Sequence, residues 1–190
     1  MKILSKKAFN LILNNEPIIV PTDTVYGLVC RYDSKEAVKK IYKLKKRARK
    51  KPLILLGYSW QALKKFVCIE TLHATSVPHA TPLRQLIKQW PGPLTIILPV
   101  SKAVPKFLNK DFKTIGVRVP NNKFLLKLLK QSPEQVLAST SANISGKSDR
   151  IPQKELIKKV KLFIKAKKSE MSLKPSKIIQ ITNKSIKVLR

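Results

Sequence analysis

The amino-acid sequence predicts one α/β domain, residues 1–190, in which helices flank a mixed β-sheet. Short apolar runs rich in Ile, Val and Leu alternate with segments of helical periodicity. The length of 190 residues suffices for one domain with a substantial core and is short for two. No internal repeat or linker-like stretch divides the chain. These three observations together favour a single folded unit.

The individual elements follow from local patterns. The apolar runs predict strands at residues 17–20, 52–56, 94–100, 114–120, 136–140, 177–181 and 185–189. Helical periodicity predicts helices at residues 3–14, 34–46, 82–89, 123–130 and 153–165. Asp33 and Glu36 have the spacing of a capping box for the second helix. Thr81 and Pro82 suit the start of the third helix, and segment 69–80 has no clear period and is predicted to be a loop.

The charge of the chain is extreme. Forty Lys and Arg against ten Asp and Glu give a net charge of +30, which attracts polyanions such as RNA, DNA and nucleotides. Only 7 of these residues are Arg, however, and phosphate sites that use a planar fork prefer Arg. Lysines spread evenly along a chain also arise by compositional drift on solvated faces. The two interpretations carry equal weight, so the charge indicates proximity to nucleic acid and nothing sharper.

Metal, disulfide and membrane chemistry find no support in the sequence. Cys30 and Cys68 form no CxxC pair, and His73 and His79 lack metal-ligand spacing to either cysteine. Two cysteines cannot build a disulfide framework, which fits a reducing compartment. The N-terminal segment reads as an amphipathic helix instead of a signal peptide, and no apolar stretch reaches membrane-spanning length. We therefore expect a soluble, cytoplasmic protein without metal-binding residues.

Segment 114–120 offers a polar face on a predicted strand. Alternation places apolar side chains on one face and Thr114, Gly116 and Arg118 on the other. A hydroxyl and a guanidinium then flank a bare glycine, which leaves room for a ligand near the backbone. The alternative is an edge strand with a surface Arg. It is less favoured, because the polar face combines Arg, Gly and Thr instead of a run of Lys.

Segment 138–146 is dense in small hydrogen-bonding groups. Ser139, Ser141 and Asn143 share a face if the segment is extended, after an apolar strand and before a predicted helix. Turns from strand to helix present backbone N–H groups and hydroxyls to phosphate. The alternative is a serine-rich turn that caps the next helix, and binding is slightly favoured over it.

Two further segments are weaker signals. Thr22, Thr24 and Tyr26 alternate along segment 21–28, so their hydroxyls could orient a small polar ligand, although Thr and Tyr are also common in strands. In segment 45–52, five Lys or Arg precede the Lys51–Pro52 step. They would clamp a triphosphate or merely stabilise a helix C-terminus, and for this segment alone the second interpretation is favoured.

Taken together, these segments resemble the YrdC family, in particular its short TsaC-like branch. The matching strings are Pro-Thr-Asp-Thr-Val-Tyr-Gly-Leu at 21–28, Lys-x-Arg-x-x-x-Lys-Pro-Leu at 45–53, Trp-Pro-Gly-Pro-Leu-Thr at 90–95, Gly-Val-Arg-Val-Pro at 116–120 and Ser-Thr-Ser-Ala-Asn-Ile-Ser-Gly at 139–146. Each string could arise by chance, but five in the family's order form a specific signal.

The resemblance implies a twisted open mixed sheet flanked by helices, with a concave basic face. It also implies a nucleotidyltransferase, threonylcarbamoyl-AMP synthase, which converts L-threonine, bicarbonate or CO₂ and ATP to threonylcarbamoyl-AMP and pyrophosphate. ATP is then a substrate, and Mg²⁺ accompanies its triphosphate. The product would serve threonylcarbamoyl modification of adenosine 37 in tRNAs that read codons beginning with A, through a tRNA threonylcarbamoyl-transferase complex. Binding to tRNA or other RNA would be compatible with this activity.

The same resemblance assigns roles to individual residues. The residues expected to bind L-threonine are Thr24, Arg118 and Ser139, and the fork of Arg118 suits the carboxylate of that substrate. The residues expected around the nucleotide and its phosphates are Lys45, Arg47, Lys51, Thr114, Ser141, Asn143 and Ser176, with Lys45 and Arg47 as the catalytic pair. No Ser-His or Cys-His arrangement suggests a protein nucleophile.

The chain also departs from the family pattern. Leu56 stands where long-form relatives often carry His, which removes or replaces one threonine contact. A further nucleotide contact is expected near Ser148 or Asp149. The glycine-containing stretch expected just before Ser176 is absent, and Arg190 is a weaker candidate for a nucleotide contact. The resemblance to the short branch implies a protein without the additional C-terminal domain of the long forms.

The rival hypothesis is a non-enzymatic RNA-binding protein that uses the same basic concave surface. The charge of +30 motivates it, and steep salt dependence of binding would be its mark. The sequence favours the enzyme, because the Gly-Val-Arg-Val-Pro and Ser-x-Asn strings are not needed for nonspecific RNA contact. RNA readers would also interleave aromatic residues, which make up only 6% of this chain.

Overall fold

The computed structural model of the protein describes residues 2–48, 51–69, 80–109, 112–148, 150–182 and 186–190. Within these residues eight strands form one sheet with helices packed against it, so the predicted α/β class with an open mixed sheet is confirmed. The domain boundaries 1–190 stay a prediction. Residues 70–79 of the predicted loop lie outside the described part of the chain, as do His73, His79 and Asp149.

The sheet combines parallel and antiparallel neighbours. Its strands are β1 (Ile18–Val20), β2 (Gly27–Arg31), β3 (Ile54–Gly57), β4 (Leu94–Pro99), β5 (Thr114–Arg118), β6 (Val136–Ser141), β7 (Lys177–Ile181) and β8 (Ile186–Val188). They lie side by side in the order β1-β2-β6-β3-β5-β4-β7-β8. The pairs β3–β5 and β4–β7 are parallel, and the other neighbours are antiparallel. All seven predicted strands are present, and β2 is an additional strand that the sequence reading did not separate from segment 21–28.

Seven α-helices accompany the sheet in the described part of the chain. They are α1 (Lys2–Leu13), α2 (Lys35–Lys45), α3 (Trp60–Leu63), α4 (Ala80–Ile87), α5 (Lys106–Asn109), α6 (Lys123–Gln131) and α7 (Lys154–Lys159). The short helices α3 and α5 were not predicted. Among the residues described, none of these helices has both the length and the apolar character that crossing a bilayer requires.

The alternation of side chains along the strands divides the core between the two sheet faces. On β6, Leu137 packs in a cluster with α1 and α6, whereas its neighbours Val136 and Ala138 pack in a cluster with α2. The same alternation separates Leu55 from Leu56 on β3. The central strands are therefore covered on both faces, which explains why they read as nearly continuous apolar runs.

The start of α2 differs from the predicted capping box. Ser34 is the N-cap, and its hydroxyl accepts a hydrogen bond from the backbone N–H of Ala37 at 3.1 Å. The predicted cap, Asp33, instead accepts two hydrogen bonds from the guanidinium of Arg31, at 2.9 and 2.8 Å. The carboxylate is engaged by this nearby cation, so the next hydroxyl along the chain caps the helix.

Two other helix boundaries were also wrong. Helix α4 begins at Ala80, so Thr81 and Pro82 lie inside its first turn instead of marking its start. Helix α7 ends at Lys159, six residues before the predicted end at 165. Beyond it, the chain runs alongside β1, where Ile19 N–H donates to the carbonyl of Leu162 at 3.0 Å and Ile164 N–H donates to the carbonyl of Ile19 at 2.9 Å. Residues 162–164, whose sequence has a helical pattern, thus pair with the edge of β1 that β2 does not occupy.

The end of α2 places its next residue in an unusual backbone conformation. Lys46, the C-cap, has φ 50° and ψ 42°, in the left-handed region that favours glycine. Its backbone N–H bonds to the carbonyls of Lys43 and Tyr42, and the chain then turns towards Arg47. A lysine therefore occupies a glycine-type cap at the point where the chain leaves the helix.

Replacing Lys46 by glycine is expected to stabilise the protein. Lys46→Gly removes the steric cost of a side chain in the left-handed region, about 1 kcal/mol. The side chain of Lys46 is 70% exposed and its ion pair with Glu155 is long, at 3.8 Å, so little is lost with it. Chemical denaturation measures the change in the free energy of unfolding.

Lys39→Gly is the matched control, because Lys39 is an exposed residue in the interior of the same helix. It should lose about 1 kcal/mol through the poor helix propensity of glycine. A loss of stability in both variants would show that the conformation of Lys46 carries no strain.

Candidate active site

A cavity of about 270 Å³ opens on the sheet face that carries α1 and α6. Ile54 and Leu56 of β3 line it, and both pack with the cluster of those two helices. On β6, Ser139 and Ser141 follow Leu137 at alternate positions and therefore point to the same face. The complete lining is Thr22, Thr24, Val25, Tyr26, Gly27, Arg47, Pro52, Ile54, Leu56, Thr95, Arg118, Ser139, Thr140, Ser141, Ser176, Ile178 and Arg190.

Residues far apart in sequence meet in this one cavity. The predicted site residues that line it are Thr24, Arg47, Arg118, Ser139, Ser141 and Ser176. The predicted site residues that do not line it are Lys45, Lys51, Thr114 and Asn143. Thr114 lies at the opposite end of β5 from Arg118 and pairs with Pro99. The direct contacts of these four residues with a nucleotide stay predictions.

Arg118, at the end of β5, joins three separate stretches of chain. Its Nε–H donates to the carbonyl of Gly92 at 3.0 Å and its Nη1 to Thr24 Oγ1 at 2.9 Å. Its Nη2 donates to Asp23 Oδ1 at 2.6 Å, and that oxygen also accepts from the backbone N–H of Asn121 at 3.0 Å. A guanidinium carries five N–H groups, so two remain for a ligand after these three bonds.

The Arg118–Asp23 ion pair is largely removed from solvent. The two side chains are 5% and 13% exposed. Burial lowers the pKa of the Arg118 guanidinium from its usual value, and the charge and hydrogen bond of Asp23 oppose that shift. Since arginine retains its proton throughout the accessible pH range, the cavity keeps a fixed positive charge. Asp23 is what makes burial of that charge tolerable.

The turn that supplies Gly92 requires a residue without a side chain. A Cβ atom on Gly92 would lie 2.4 Å from the carbonyl oxygen of Gln89. The preceding Trp90–Pro91 peptide bond is cis, and the Trp90 indole donates to the carbonyl of Leu94 at 2.6 Å. The Trp-Pro-Gly-Pro string therefore forms a tight turn that presents a carbonyl to Arg118.

Lys45 is buried beside the cavity and holds the loop that follows β6. Its Nζ donates to the carbonyls of Ser141 and Asn143 at 2.5 Å each, and to Asn143 Oδ1 at 2.8 Å. Asn143 Oδ1 also accepts from Ser141 Oγ at 2.7 Å, and its Nδ2 donates to the carbonyl of Lys147 at 2.6 Å. The amide of Asn143 is thus occupied by the protein, and it orients the hydroxyl of Ser141 at the cavity wall.

A loop separates Asn143 from the next helix, which was predicted to start at 153. Residues 144–148 form turns, Gly146 has a positive φ of 86°, and α7 begins only at Lys154. Binding of phosphate by this turn stays a prediction. The Lys45 ammonium binds the carbonyls of Ser141 and Asn143 and so holds the start of this loop, which the run of small polar residues alone did not reveal.

Arg47 reaches the cavity from the turn after α2. Its Nε donates to the carbonyl of Lys51 at 3.0 Å and its Nη2 to the carbonyl of Pro52 at 3.0 Å. Burial lowers the pKa of its guanidinium, and nearby Tyr42 weakly opposes that shift. The two carbonyl contacts fix the guanidinium plane and leave N–H groups for an anion.

The opposite wall comes from the C-terminal part of the chain. Ser176 Oγ lies 3.0 Å from Thr95 Oγ1, and both residues are buried. Arg190 Nε donates to the carbonyl of Ser176 at 3.1 Å, and its charge is close enough to lower the pKa of Arg118. Three guanidinium groups therefore surround one cavity.

The positive charge of the cavity comes from arginine, not lysine. Among the residues that the structure describes, Arg47, Arg118 and Arg190 line the cavity and no lysine does. This matters because the guanidinium fork binds carboxylate and phosphate oxygens in a defined geometry, which an ammonium does not. The lysines of the described residues lie outside the lining of the cavity. The general basic character of the concave face stays a prediction.

Some expectations about individual residues need correction. A Cβ on Gly116 would lie 2.8 Å from Ile54 Cγ2 and 3.4 Å from Thr95 Cγ2, so neighbouring side chains fill the space expected for a ligand there. Tyr26 lines the cavity and its phenol accepts a hydrogen bond from the backbone N–H of Ala166 at 3.1 Å, so its role towards a ligand stays a prediction.

Asp23 and Thr95 were not singled out from the sequence. Asp23 lies within a string that was recognised for its hydroxyl groups, and its partner Arg118 is 95 residues away. Thr95 occupies an apolar strand, where a lone threonine is ordinary. The only available signal was that both positions fall inside strings of the family resemblance.

Comparison with known proteins identifies relatives along almost the whole chain. The Sua5/YciO/YrdC family model, described as "Telomere recombination", matches residues 10–190. A threonylcarbamoyl-AMP synthase of Escherichia coli K12 is 35% identical over 136 residues, which cover 71% of this chain and 68% of that protein.

Two solved structures share the fold. Escherichia coli YciO has a TM-score of 0.81 with 25% identity, over 100% of this chain and 89% of its own. Pyrococcus abyssi Sua5 in complex with L-threonine also has a TM-score of 0.81, with 30% identity, over 98% of this chain and 53% of its own. The chain therefore spans about half the length of the Sua5 chain.

Replacement of Lys45 should separate its structural role from a direct phosphate contact. Lys45→Met keeps a side chain of similar length and removes the ammonium, which leaves three buried acceptors without this donor. We expect a loss of about 3 kcal/mol in the free energy of unfolding, measured by denaturant titration.

Lys51→Met is the matched control, since Lys51 is exposed and, like Lys45, lies in the segment between α2 and β3 or at its border. It should leave the free energy of unfolding within about 0.5 kcal/mol of the original. Equal stability of the two variants would contradict the bracing role of Lys45.

Proposed function

The chain belongs to the Sua5/YciO/YrdC family, and we propose that it is a threonylcarbamoyl-AMP synthase, an enzyme that uses ATP. The observation that carries the proposal is the convergence of Thr24, Arg47, Arg118, Ser139 and Ser141 on one cavity. A relative that is 35% identical bears this name, and a structural neighbour was solved with L-threonine. The cavity offers what such a reaction needs, namely positive charge and hydroxyl groups in fixed positions.

The proposed reaction has two steps. The neutral amine of L-threonine attacks carbon dioxide, a C–N bond forms, and the amine loses a proton, which gives a carbamate. A carbamate oxygen then attacks the α-phosphorus of ATP, and the bond to the bridging oxygen breaks as pyrophosphate leaves. Neither step requires a protein nucleophile, so the residues act by positioning and by stabilising negative charge.

The geometry suggests a division of roles along the cavity. Arg118 keeps two N–H groups for the carboxylate of L-threonine, beside Thr24 and Ser139. Arg47 would contact the phosphates, because its guanidinium is fixed at the entrance of the basic turn before β3. In this proposal Lys45 is the catalytic partner that acts through the loop of Ser141 and Asn143.

The remaining nucleotide contacts are proposed from position. Ser141 and Ser176 lie on opposite walls of the cavity and could bracket the nucleotide between them. Lys51, which neighbours Arg47 in the same turn, would add charge near the phosphates. Thr114 and Asn143 would contact the nucleotide only outside the lining of this cavity.

Mg²⁺ is proposed to enter with the triphosphate. The described residues contain no group of three or more His, Cys, Asp or Glu that could hold a metal ion, and the cavity lining includes no carboxylate. In this proposal phosphate oxygens and water, and not the described side chains, would hold the ion.

The product requires a second enzyme. A threonylcarbamoyl group joined to AMP is a mixed anhydride, so it is an activated donor for acyl transfer to an amine. We propose that a tRNA threonylcarbamoyl-transferase complex consumes it to modify adenosine 37 of tRNAs that read codons beginning with A, in the cytoplasm. The net charge of +30 supports an encounter with tRNA, although no lysine of the described residues lines the cavity.

Replacing Arg47 tests the proposed synthase. Pyrophosphate release from ATP should depend on both L-threonine and bicarbonate. Arg47→Ala should lower kcat/KM by about 100-fold, because it removes a donor that stabilises charge on the phosphates. Arg84→Ala is the control, since Arg84 is an exposed residue of α4 that does not line the cavity, and its rate should be unchanged.

An unchanged rate in Arg47→Ala would show that the phosphate site is misplaced. Tight RNA binding with steep salt dependence, together with no ATP turnover under any condition, would instead favour the non-enzymatic RNA-binding protein.

A further inference from the structure

Two threonine hydroxyls and a guanidinium form a buried chain of hydrogen bonds at the cavity. Thr22 Oγ1 donates to the carbonyl of Val25 at 2.7 Å and accepts from the backbone N–H of Thr24 at 3.0 Å. Thr22 Oγ1 and Thr24 Oγ1 are 2.9 Å apart. Thr24 Oγ1 also accepts from Arg118 Nη1 at 2.9 Å.

These contacts determine which hydroxyl donates. A hydroxyl has one proton, and the proton of Thr22 is directed to the carbonyl of Val25. The bond between the two hydroxyls must therefore be donated by Thr24. Thr24 Oγ1 also accepts a hydrogen bond from Arg118, which occupies one of its two lone pairs. The oxygen therefore has no free proton, and one lone pair remains for a ligand.

This series of hydrogen bonds is buried, so water does not readily reverse the direction of its donors and acceptors. Thr22, Thr24 and Arg118 are 5%, 1% and 4% exposed. Reversal of the bond between the hydroxyls would leave the buried carbonyl of Val25 without this donor, at a cost of the order of 1–3 kcal/mol. Thr24 nevertheless belongs to the lining of the cavity, where a ligand would meet its oxygen.

We propose that Thr22 is a specificity-determining residue that fixes the Thr24 hydroxyl as a hydrogen-bond acceptor towards the substrate, where it receives an N–H of the α-amine of L-threonine. The inference rests on the proposed function and deepens it. Thr22 does not act on the reacting atoms. It acts through Thr24, whose proton it holds.

The neighbouring guanidinium indicates which donor of the substrate Thr24 receives. Arg118 lies 2.9 Å from Thr24 Oγ1 and has two N–H groups for a carboxylate. The amine and the carboxylate of an amino acid are bonded to the same carbon atom. A ligand whose carboxylate meets Arg118 therefore places its amine, more than its side chain, beside Thr24.

The arrangement also excludes the reverse orientation. A carboxylate oxygen at Thr24 would meet a lone pair instead of a proton, since the Thr24 proton is bonded to Thr22. Carboxylic acids that lack the amine should bind poorly for this reason. The pair of Arg118 and Thr24 thus distinguishes the two groups of an amino acid by hydrogen-bond polarity.

Ligand analogues test the inference on the unaltered protein. L-2-aminobutyrate lacks the β-hydroxyl of L-threonine, and (R)-3-hydroxybutanoate lacks the α-amine. Dissociation constants for all three are measured by calorimetry, with competition against L-threonine for weak binders. Loss of the amine should weaken binding at least about 10-fold, as expected for a hydrogen bond that involves a charged group.

Variants then assign that loss to Thr24 and Thr22. Thr24→Val should weaken L-threonine and L-2-aminobutyrate about 10-fold each and leave (R)-3-hydroxybutanoate unchanged. Thr22→Val releases the Thr24 proton and should reduce the preference of the protein for ligands that carry the amine. Thr22→Ser, which keeps the hydroxyl, should preserve that preference. Melting temperatures show whether each variant is folded.

The outcomes separate this inference from the proposed function. If the unaltered protein neither binds L-threonine nor releases pyrophosphate in response to it, the proposed function fails and the inference with it. If the enzyme is active but Thr24→Val weakens (R)-3-hydroxybutanoate as much as L-threonine, only the inference is overturned. It is also overturned if Thr24→Val weakens the binding of L-threonine but not that of L-2-aminobutyrate. That result would place the β-hydroxyl of the substrate, and not its amine, at this residue.

Discussion

The buried guanidinium of Arg118 is the interaction on which the site depends. It fastens the end of β5 to the turn at Gly92 and to segment 23–24, three stretches that the sheet alone does not hold together. Burial of an uncompensated charge would be costly, but here an ion pair compensates the charge and two neutral acceptors bind further N–H groups. The position of Thr24, and with it one wall of the cavity, follows from this arrangement.

Lys45 is a second buried cation that organises backbone beside the cavity. Its ammonium binds two backbone carbonyls and an amide oxygen at the end of β6 and in the loop after it, so a buried cation again shapes a polar segment. Residues that are charged in the sequence thereby divide into two classes. A few are enclosed and organise backbone around the cavity, whereas most of the 33 lysines have no such role and give the molecule its overall potential.

Local patterns predicted most of the fold and part of the site. Apolar runs located seven strands because both sheet faces are covered, and alternation on β5 and β6 correctly placed Arg118, Ser139 and Ser141 on one side. The failures came from contacts across long sequence separations. The helical pattern beyond Lys159 was overridden by pairing with β1, and the burial of Lys45 depends on carbonyls 96 and 98 residues away.

The two edges of the sheet have unequal consequences for the molecule in solution. Residues 162–164 cover the edge at β1, whereas β8 is the last strand of the described sheet and carries Ile186 and Val188, which are 44% and 62% exposed. Such an edge invites strand addition from a second molecule. Mutual repulsion between highly cationic copies opposes that event, and this repulsion weakens as ions shorten the Debye length. We therefore expect ionic strength to control the colloidal behaviour of the protein, with self-association favoured in concentrated salt.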